Sequence, residues 1–409
     1  MKLFTSASIG PVTLRNRTIR SAAFEGMGRD NNPTPQLRDY HWAVSDGGVG
    51  MTTLAYAGVC RSALSFDTQL WLRPDIVRPL REITDGIHAR GAKASIQIGH
   101  CGNMTHIKTA GGIPVGASTG FNLYSPTIVR GLRPDELASI ARDFGDAVRT
   151  ARDAGFDCVE VHAGHGYLIS QFLSPYTNRR RDCFGGSLSN RMRLLRMCME
   201  EVMMAAGSDM GVIVKTNMRD GFKGGMEIEE CLKVALEIER LGAHAIVLSG
   251  GFVSKAPMYV MRGEMPIHSM THYMKQLWLK YGVRMCGKMM IKTEPFRELY
   301  FLEDARRFRA ELKLPLIYVG GVVGRETADR VMDEGFDFVQ IGRALVHDTD
   351  FVRRMQQEPC HRSGCEHINY CIARMYSKEM VCYHNIDDSE MTPGIRREIE
   401  RIRSSARHG

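Results

Sequence analysis

The sequence predicts a (β/α)8 barrel of the TIM type, and three observations carry that prediction. Eight short runs rich in Val, Ile and Ala recur along the 409 residues, each ending in Gly, Ala, Ser or a polar residue. Between them lie longer segments with apolar residues at helical spacing, acidic residues early and a closing glycine, as in "RPDELASIARDFGDAVRTARDAG". The runs themselves are close to continuously apolar, as parallel strands covered by helices on both faces are. A doubly wound open sheet is the runner-up.

In chain order the predicted strands are "TIRSAAF" (18–24), "GMTTLAYA" (50–57), "AKASIQI" (92–98) and "DCVEVHA" (157–163), then "GVIVKTN" (211–217), "AIVLSGG" (245–251), "LIYVGG" (316–321) and "FVQIGR" (338–343). In such a barrel the active-site groups come from the C-terminal strand ends. Two connections on that side are long, 99–135 after the third strand and 252–312 after the sixth, and both are candidate lids or substrate walls. Residues 258–290 hold eight methionines, which read as filling for an irregular core. The domain reading is a barrel over 1–355 and, over 356–409, a cysteine-containing extension packed on it that ends in the basic helix "TPGIRREIERIR".

With 44% hydrophobic residues the chain can bury a sizeable core. Its net charge of +8 comes from 54 basic and 46 acidic residues mixed along the chain, so no nucleic acid partner is expected. No window reaches the roughly 18 apolar residues of a membrane span, and the start lacks the apolar run of a signal peptide. The expectation is a cytoplasmic protein without a membrane partner. Eleven cysteines, mostly scattered singly, fit reduced thiols.

Strands seven and eight run into "VGGVVGRETADRVMDEG" and "QIGRALVHD". Glycine turns of this kind open backbone N–H groups to an anion, and barrels often place a phosphate there. Gly321 and Gly342 would admit it and Arg343 would add a charge-assisted contact; close helix packing is the alternative role for the glycines. No G-x-G-x-x-G follows a strand, so a Rossmann module is not supported.

The fourth strand ends in "VHAGHGYLISQFLSP", with His162, His165 and Tyr167 within six residues. The pair could be metal ligands, but H-x-x-H at a strand end lacks the helical spacing and Glu of a zincin, and no third ligand is evident. It could be satisfied core histidines. It could also be a clamp, two imidazole N–H donors on one oxygen as negative charge develops there, with Tyr167 as general acid.

The chain resembles the Old Yellow Enzyme family of flavin oxidoreductases over nearly its whole length. The resemblance lies in "LFTSASIGPVTLRNRTIRSAAFEGM", "GGVGM", "SIQIGHCGN", "GFDCVEVHAGHGYLISQFLSPYTNRRRDCFGGSLSNRMRLL", "VIVKTN", "SGG", "YVGGV" and "QIGRALVHD". It implies an FMN-binding barrel in which NAD(P)H reduces the flavin, which then passes hydride to an activated double bond. By the same resemblance, Ala22, Ala23 and Phe24 would lie against the flavin through the backbone and Gln97 would bond its pyrimidine edge. Lys215 would sit near N1 and O2, with Gly321, Gly342 and Arg343 at the phosphate. His162 and His165 would hold the acceptor oxygen and Tyr167 would deliver the proton, so no metal site is assigned to them.

Some relatives of that family carry a four-cysteine iron–sulfur site in the region of "CHRSGCEHINYCIARMYSKEMVCYH". Here the cysteines stand at Cys360, Cys365, Cys371 and Cys382, and Ile368 replaces one of the set, so a cluster is not favoured. The reading that results is an FMN-dependent NAD(P)H oxidoreductase acting on an α,β-unsaturated carbonyl-type small-molecule acceptor. The alternatives are an iron–sulfur demethylase or dienoyl reductase, and a non-catalytic flavin- or phosphate-binding barrel. Homo-oligomerisation is left open.

Overall fold

In the computed structural model, which describes residues 2–122 and 126–407, eight parallel strands close into one barrel. They are β1 (Thr18–Arg20), β2 (Met51–Gly58), β3 (Lys93–Gly99), β4 (Cys158–His162), β5 (Gly211–Asn217), β6 (Ala245–Ser249), β7 (Leu316–Val319) and β8 (Phe338–Ile341). Each pairs with its neighbours in sequence, and β8 closes on β1. The (β/α)8 prediction therefore holds.

One helix follows each strand on the outside: α1 (Pro35–Asp46), α2 (Val77–Ala89), α3 (Pro134–Asp153), α4 (Arg193–Ala206), α5 (Ile228–Arg240), α6 (Leu302–Glu311), α7 (Arg325–Asp333) and α8 (Phe351–Gln357). Their starts follow local chemistry. The Thr34 side chain accepts from Leu37 N before α1, whose first residue is proline. Before α3, the Glu136 carboxylate accepts from Arg133 N at 2.7 Å.

The period of two along each strand divides the molecule into an outer and an inner core. Outward residues such as Ile96, Val159, Val161, Val212, Val214 and Leu248 pack against the helices. Inward residues form layers. The lower layer is apolar, with Ile19, Met51, Cys158, Ile213, Val247, Ile317 and Phe338 closed from below by Ile9, Val12 and Leu14 of the hairpin Ala7–Ile9/Val12–Leu14. Two residues further along the same strands the layer turns polar: Ser21, Gln97, Glu160, Lys215, Ser249 and Gln340, all buried.

Both long connections are structured. The first carries a small sheet of Val115–Gly116, Gly120–Asn122 and Thr127–Gly131. The second holds helices Pro257–Met261, Ile267–Tyr273 and Leu277–Met290 before α6. The extension after α8 docks on this second connection: Ile368, Tyr370, Ile395, Ile399 and Ile402 form one apolar cluster with Tyr273. The methionine run splits in two. Met258, Met265 and Met270 are buried, as core filling predicts, whereas Met285, Met289 and Met290 face solvent, so the core reading is corrected for the second half. No helix among the described residues is long and apolar enough to cross a membrane.

Candidate active site

Five residues of the polar upper layer form one hydrogen-bonded unit centred on Glu160. Gln97 Nε2 donates to its Oε1 at 2.6 Å, Gln340 Nε2 to its Oε2 at 2.6 Å, and Lys215 Nζ pairs with Oε1 at 2.8 Å. Ser21 Oγ donates in turn to Gln340 Oε1 at 3.1 Å. Five strands are tied together by this set, and every oxygen of a buried carboxylate has a partner, which is the condition for burying the charge.

Directly above, β4 ends and the chain turns sharply through Gly164, His165 and Gly166. His165 takes a left-handed backbone with φ 59° and Gly166 one of 83°, conformations held only where surrounding contacts enforce them. Asn217, the last residue of β5, supplies these contacts. Its Oδ1 accepts from His165 N at 3.0 Å, and its Nδ2 donates to Asp220 Oδ1 and to Gly251 O, both at 2.9 Å. A Cβ on Gly166 would lie 2.5 Å from the Phe252 ring, so only glycine fits there.

This turn gathers the three residues singled out in the sequence. The His162 and His165 rings meet edge to face with centroids 5.1 Å apart, and His162 and Tyr167 lie 4.5 Å apart. His162 Nδ1 accepts from Gly164 N at 3.4 Å, which puts the ring proton on Nε2. His165 Nε2 shares a 2.7 Å hydrogen bond with Ser249 Oγ. Burial, then the positive charge of Lys215, holds His165 neutral down to about 3. Burial, then His165 and Lys215, depresses His162 as well. Both are therefore neutral N–H donors at physiological pH. Burial pushes the Tyr167 phenol above its ordinary range, with Cys101 and Tyr376 adding to the rise, so it stays protonated. Tyr56 packs edge-on to Tyr167 at 5.1 Å, its own hydroxyl held 2.6 Å from Ser65 Oγ.

Beside the histidines opens a cavity of about 170 Å³ whose lining includes Ala22, Ala23, His165, Lys215, Gly321, Gly342 and Arg343. Phe24, Gln97, His162 and Tyr167 stand outside that lining: Phe24 stacks on Phe66 at 4.7 Å, and Gln97 is engaged with Glu160. The two glycines differ. A Cβ on Gly321 would come within 2.5 Å of Leu299 N, so packing demands glycine there. At Gly342 the nearest atom to a Cβ is Ser21 Cβ at 4.0 Å, so close helix packing is not its reason, and the space is left to the cavity. Arg343 Nη1 donates to Asn369 Oδ1 at 2.7 Å.

Several functional residues escaped the sequence reading. Glu160, Gln340 and Ser21 carry a readable signal, since each is a polar residue one strand period from a residue already singled out, and Ser249 stands in the quoted "SGG". His367, Ser363 and Ile372, which line the cavity from the extension, carry none. Of the extension's cysteines, Cys360 is exposed, Cys371 and Cys382 are buried, and Cys382 Sγ lies 3.4 Å from His347 Nδ1. No group of three or more His, Cys, Asp or Glu among the described residues is arranged to hold a metal ion.

A closed parallel barrel with a lysine-bearing polar floor and a glycine- and arginine-lined cavity at its C-terminal mouth defines a (β/α)8 protein with its candidate site where such barrels place theirs. The chain belongs to the NADH:flavin oxidoreductase / NADH oxidase family, whose sequence profile matches residues 2–283. It is 37% identical over 376 residues to the 4,4'-dithiodibutanoate disulfide reductase of Rhodococcus erythropolis, covering 92% of this chain and 93% of that relative. It is 34% identical over 263 residues to an NADPH dehydrogenase of Listeria welshimeri, covering 63% of this chain and 75% of the relative. In fold it matches the Old Yellow Enzyme homologue from Zymomonas mobilis with a TM-score of 0.71 at 23% identity, over 92% of this chain and 97% of that one. Membership makes this an FMN-type oxidoreductase, with NAD(P)H as the implied donor, and the cavity fits that cofactor: open backbone at Gly342, a cation at Arg343 and a buried ammonium at Lys215.

Proposed function

We propose that the protein reduces a polarised small-molecule acceptor, an α,β-unsaturated carbonyl compound, at the expense of NAD(P)H. The observation that carries this reading is the cluster of neutral His162, neutral His165 and protonated Tyr167 at the edge of the cavity. FMN, when bound, supplies the hydride transfer from nicotinamide to acceptor. Ala22, Ala23, Lys215, Gly321, Gly342 and Arg343 would hold it, with Phe24 and Gln97 supporting from behind.

The imidazole N–H groups of His162 and His165 bind the acceptor's carbonyl oxygen and stabilise the negative charge that grows on it as the β-carbon is reduced. His165 exchanges its bond to Ser249 for this contact. The Tyr167 hydroxyl then protonates the α-carbon. Lys215, fixed by Glu160, presents its positive charge to the cavity from below.

The 37% identity to a disulfide reductase favours a second acceptor at the same site. Hydride delivered to one sulfur forms an S–H bond and breaks the S–S bond. The other sulfur leaves as thiolate and takes its proton from Tyr167. Both acceptors thus need one hydride and one proton. Holoprotein reduced anaerobically with NADPH or NADH and mixed with 2-cyclohexenone or with 4,4'-dithiodibutanoate distinguishes them by which compound restores the oxidised flavin band. A flavin that neither nucleotide bleaches would favour the binding-protein reading instead.

A further inference from the structure

Helix Leu277–Met290 turns an apolar stripe to solvent. Leu277, Tyr281, Met285 and Met289 recur at intervals of four with Trp278 beside them, and at about 100° per residue the five span an arc of roughly 120°. Their exposures are 67%, 59%, 85%, 75% and 62%. The opposite face holds the helix in place through Val283, which packs on the cluster of Met258, Met265, Ile267 and Met270. Single exposed apolar residues are ordinary, whereas a contiguous stripe marks a surface that something covers.

The charges of the stripe's own segment have one sign. From Met265 to Thr293 there is no Asp or Glu, while Lys275, Lys280, Arg284, Lys288 and Lys292 fall in the same segment. Lys280, Arg284 and Lys288, again at intervals of four, form a row along one flank. The row leads into a groove of about 600 Å³ shared with His268, Arg397 and Arg401 of the neighbouring helices. The groove's one carboxylate, Glu398, is taken up by the backbone N–H groups of His268 and Ser269 at 2.8 and 2.7 Å. Lys288 and Arg397 have no carboxylate partner among the described residues.

We propose that this face docks on an anionic lipid bilayer. The stripe enters the boundary between headgroups and acyl chains, and the Lys280–Arg284–Lys288 row with Arg397 meets lipid phosphates. An amphipathic helix with Trp and Tyr on its apolar face and Lys/Arg on its flank lies in the plane of such an interface. The surface potential of the leaflet attracts each cation. A second copy of the chain is the poorer occupant, because it would bring five more cations and no carboxylate from the same segment. Docking of this kind needs no membrane-crossing helix, and it is independent of the acceptor chemistry.

The test is co-sedimentation of the full-length holoprotein with phosphatidylcholine vesicles, with and without phosphatidylglycerol. Binding is expected to the anionic vesicles alone and to weaken in high salt. The double variant Trp278→Ser/Met285→Ser should abolish it, and Lys280→Glu/Lys288→Glu should weaken it by roughly tenfold or more. All four positions lie outside the cavity, so flavin absorbance and NAD(P)H oxidation in both variants should equal those of the parent. Absence of binding, equal binding to neutral vesicles, or binding retained by Trp278→Ser/Met285→Ser overturns the proposal. So does a concentration-dependent dimer that these substitutions dissolve, a result that assigns the face to a second copy.

Discussion

Lys215 Nζ stands 2.8 Å from Glu160 Oε1, with the two side chains only 3% and 0% exposed. They lie on adjacent strands and face the barrel interior one layer above its apolar floor. Little of the pair is open to solvent, so each charge depends on the other and on the amides of Gln97 and Gln340.

Glu160→Gln should therefore leave a buried ammonium uncompensated and cost about 3–5 kcal/mol of stability, read from urea unfolding. Adding Lys215→Met should restore much of that loss, because no lone charge remains. A single variant within about 0.5 kcal/mol of the parent would show that Lys215 does not need the carboxylate.

Arg343→Ala removes the cation at the glycine turns. A charge-assisted hydrogen bond is worth about 1.5–3 kcal/mol, so FMN should bind roughly 10- to 100-fold more weakly. Fluorescence titration of the flavin-stripped protein measures this. Unchanged affinity would place the phosphate elsewhere.

The neutrality of His165 has a pH consequence. An unfolded imidazole titrates near 6.5, whereas in the folded protein the value is about 3. Between those limits the unfolded chain binds a proton that the folded chain refuses. The contribution is therefore fully present above about 6.5 and is lost as pH falls through the window, at up to about 1.4 kcal/mol per pH unit. His165→Asn lacks the group, so its unfolding free energy should fall less steeply with acid across that window. Parallel slopes would mean that His165 is charged in the folded protein.

Strand existence was legible because eight apolar runs alternate with amphipathic segments, a pattern that only buried parallel strands produce. Five of the eight predicted C-terminal ends run past the observed strands, 211–217 matches, and 50–57 and 92–98 stop one residue short. Residues 21–24, 163, 250–251, 320–321 and 342–343 continue the strand composition beyond the observed strands, and Gly251, Gly320 and Gly321 do so with positive φ. Ser21, Ala22, Ala23, Gly320, Gly321, Gly342 and Arg343 among them line the cavity, so much of the overshoot fell where the fold gives way to the candidate site. Glu160 was readable in "VEVH", one strand period before His162, yet a lone polar residue within an apolar strand gives no hint of its three partners. Nothing local shows that Asn369, far along the chain, meets Arg343, since that contact depends on how the extension folds over the second excursion.

In the proposed reaction His162, His165 and Tyr167 complete the oxidative half while the cavity alone supports the reductive half. Anaerobic stopped-flow of Tyr167→Phe tests it most directly. Reduction of the flavin by NAD(P)H should proceed at the parent rate, and reoxidation by the preferred acceptor should slow by about 10²- to 10⁴-fold, the range of a lost general acid. Reoxidation at the parent rate, or reduction slowed to the same degree, would contradict it.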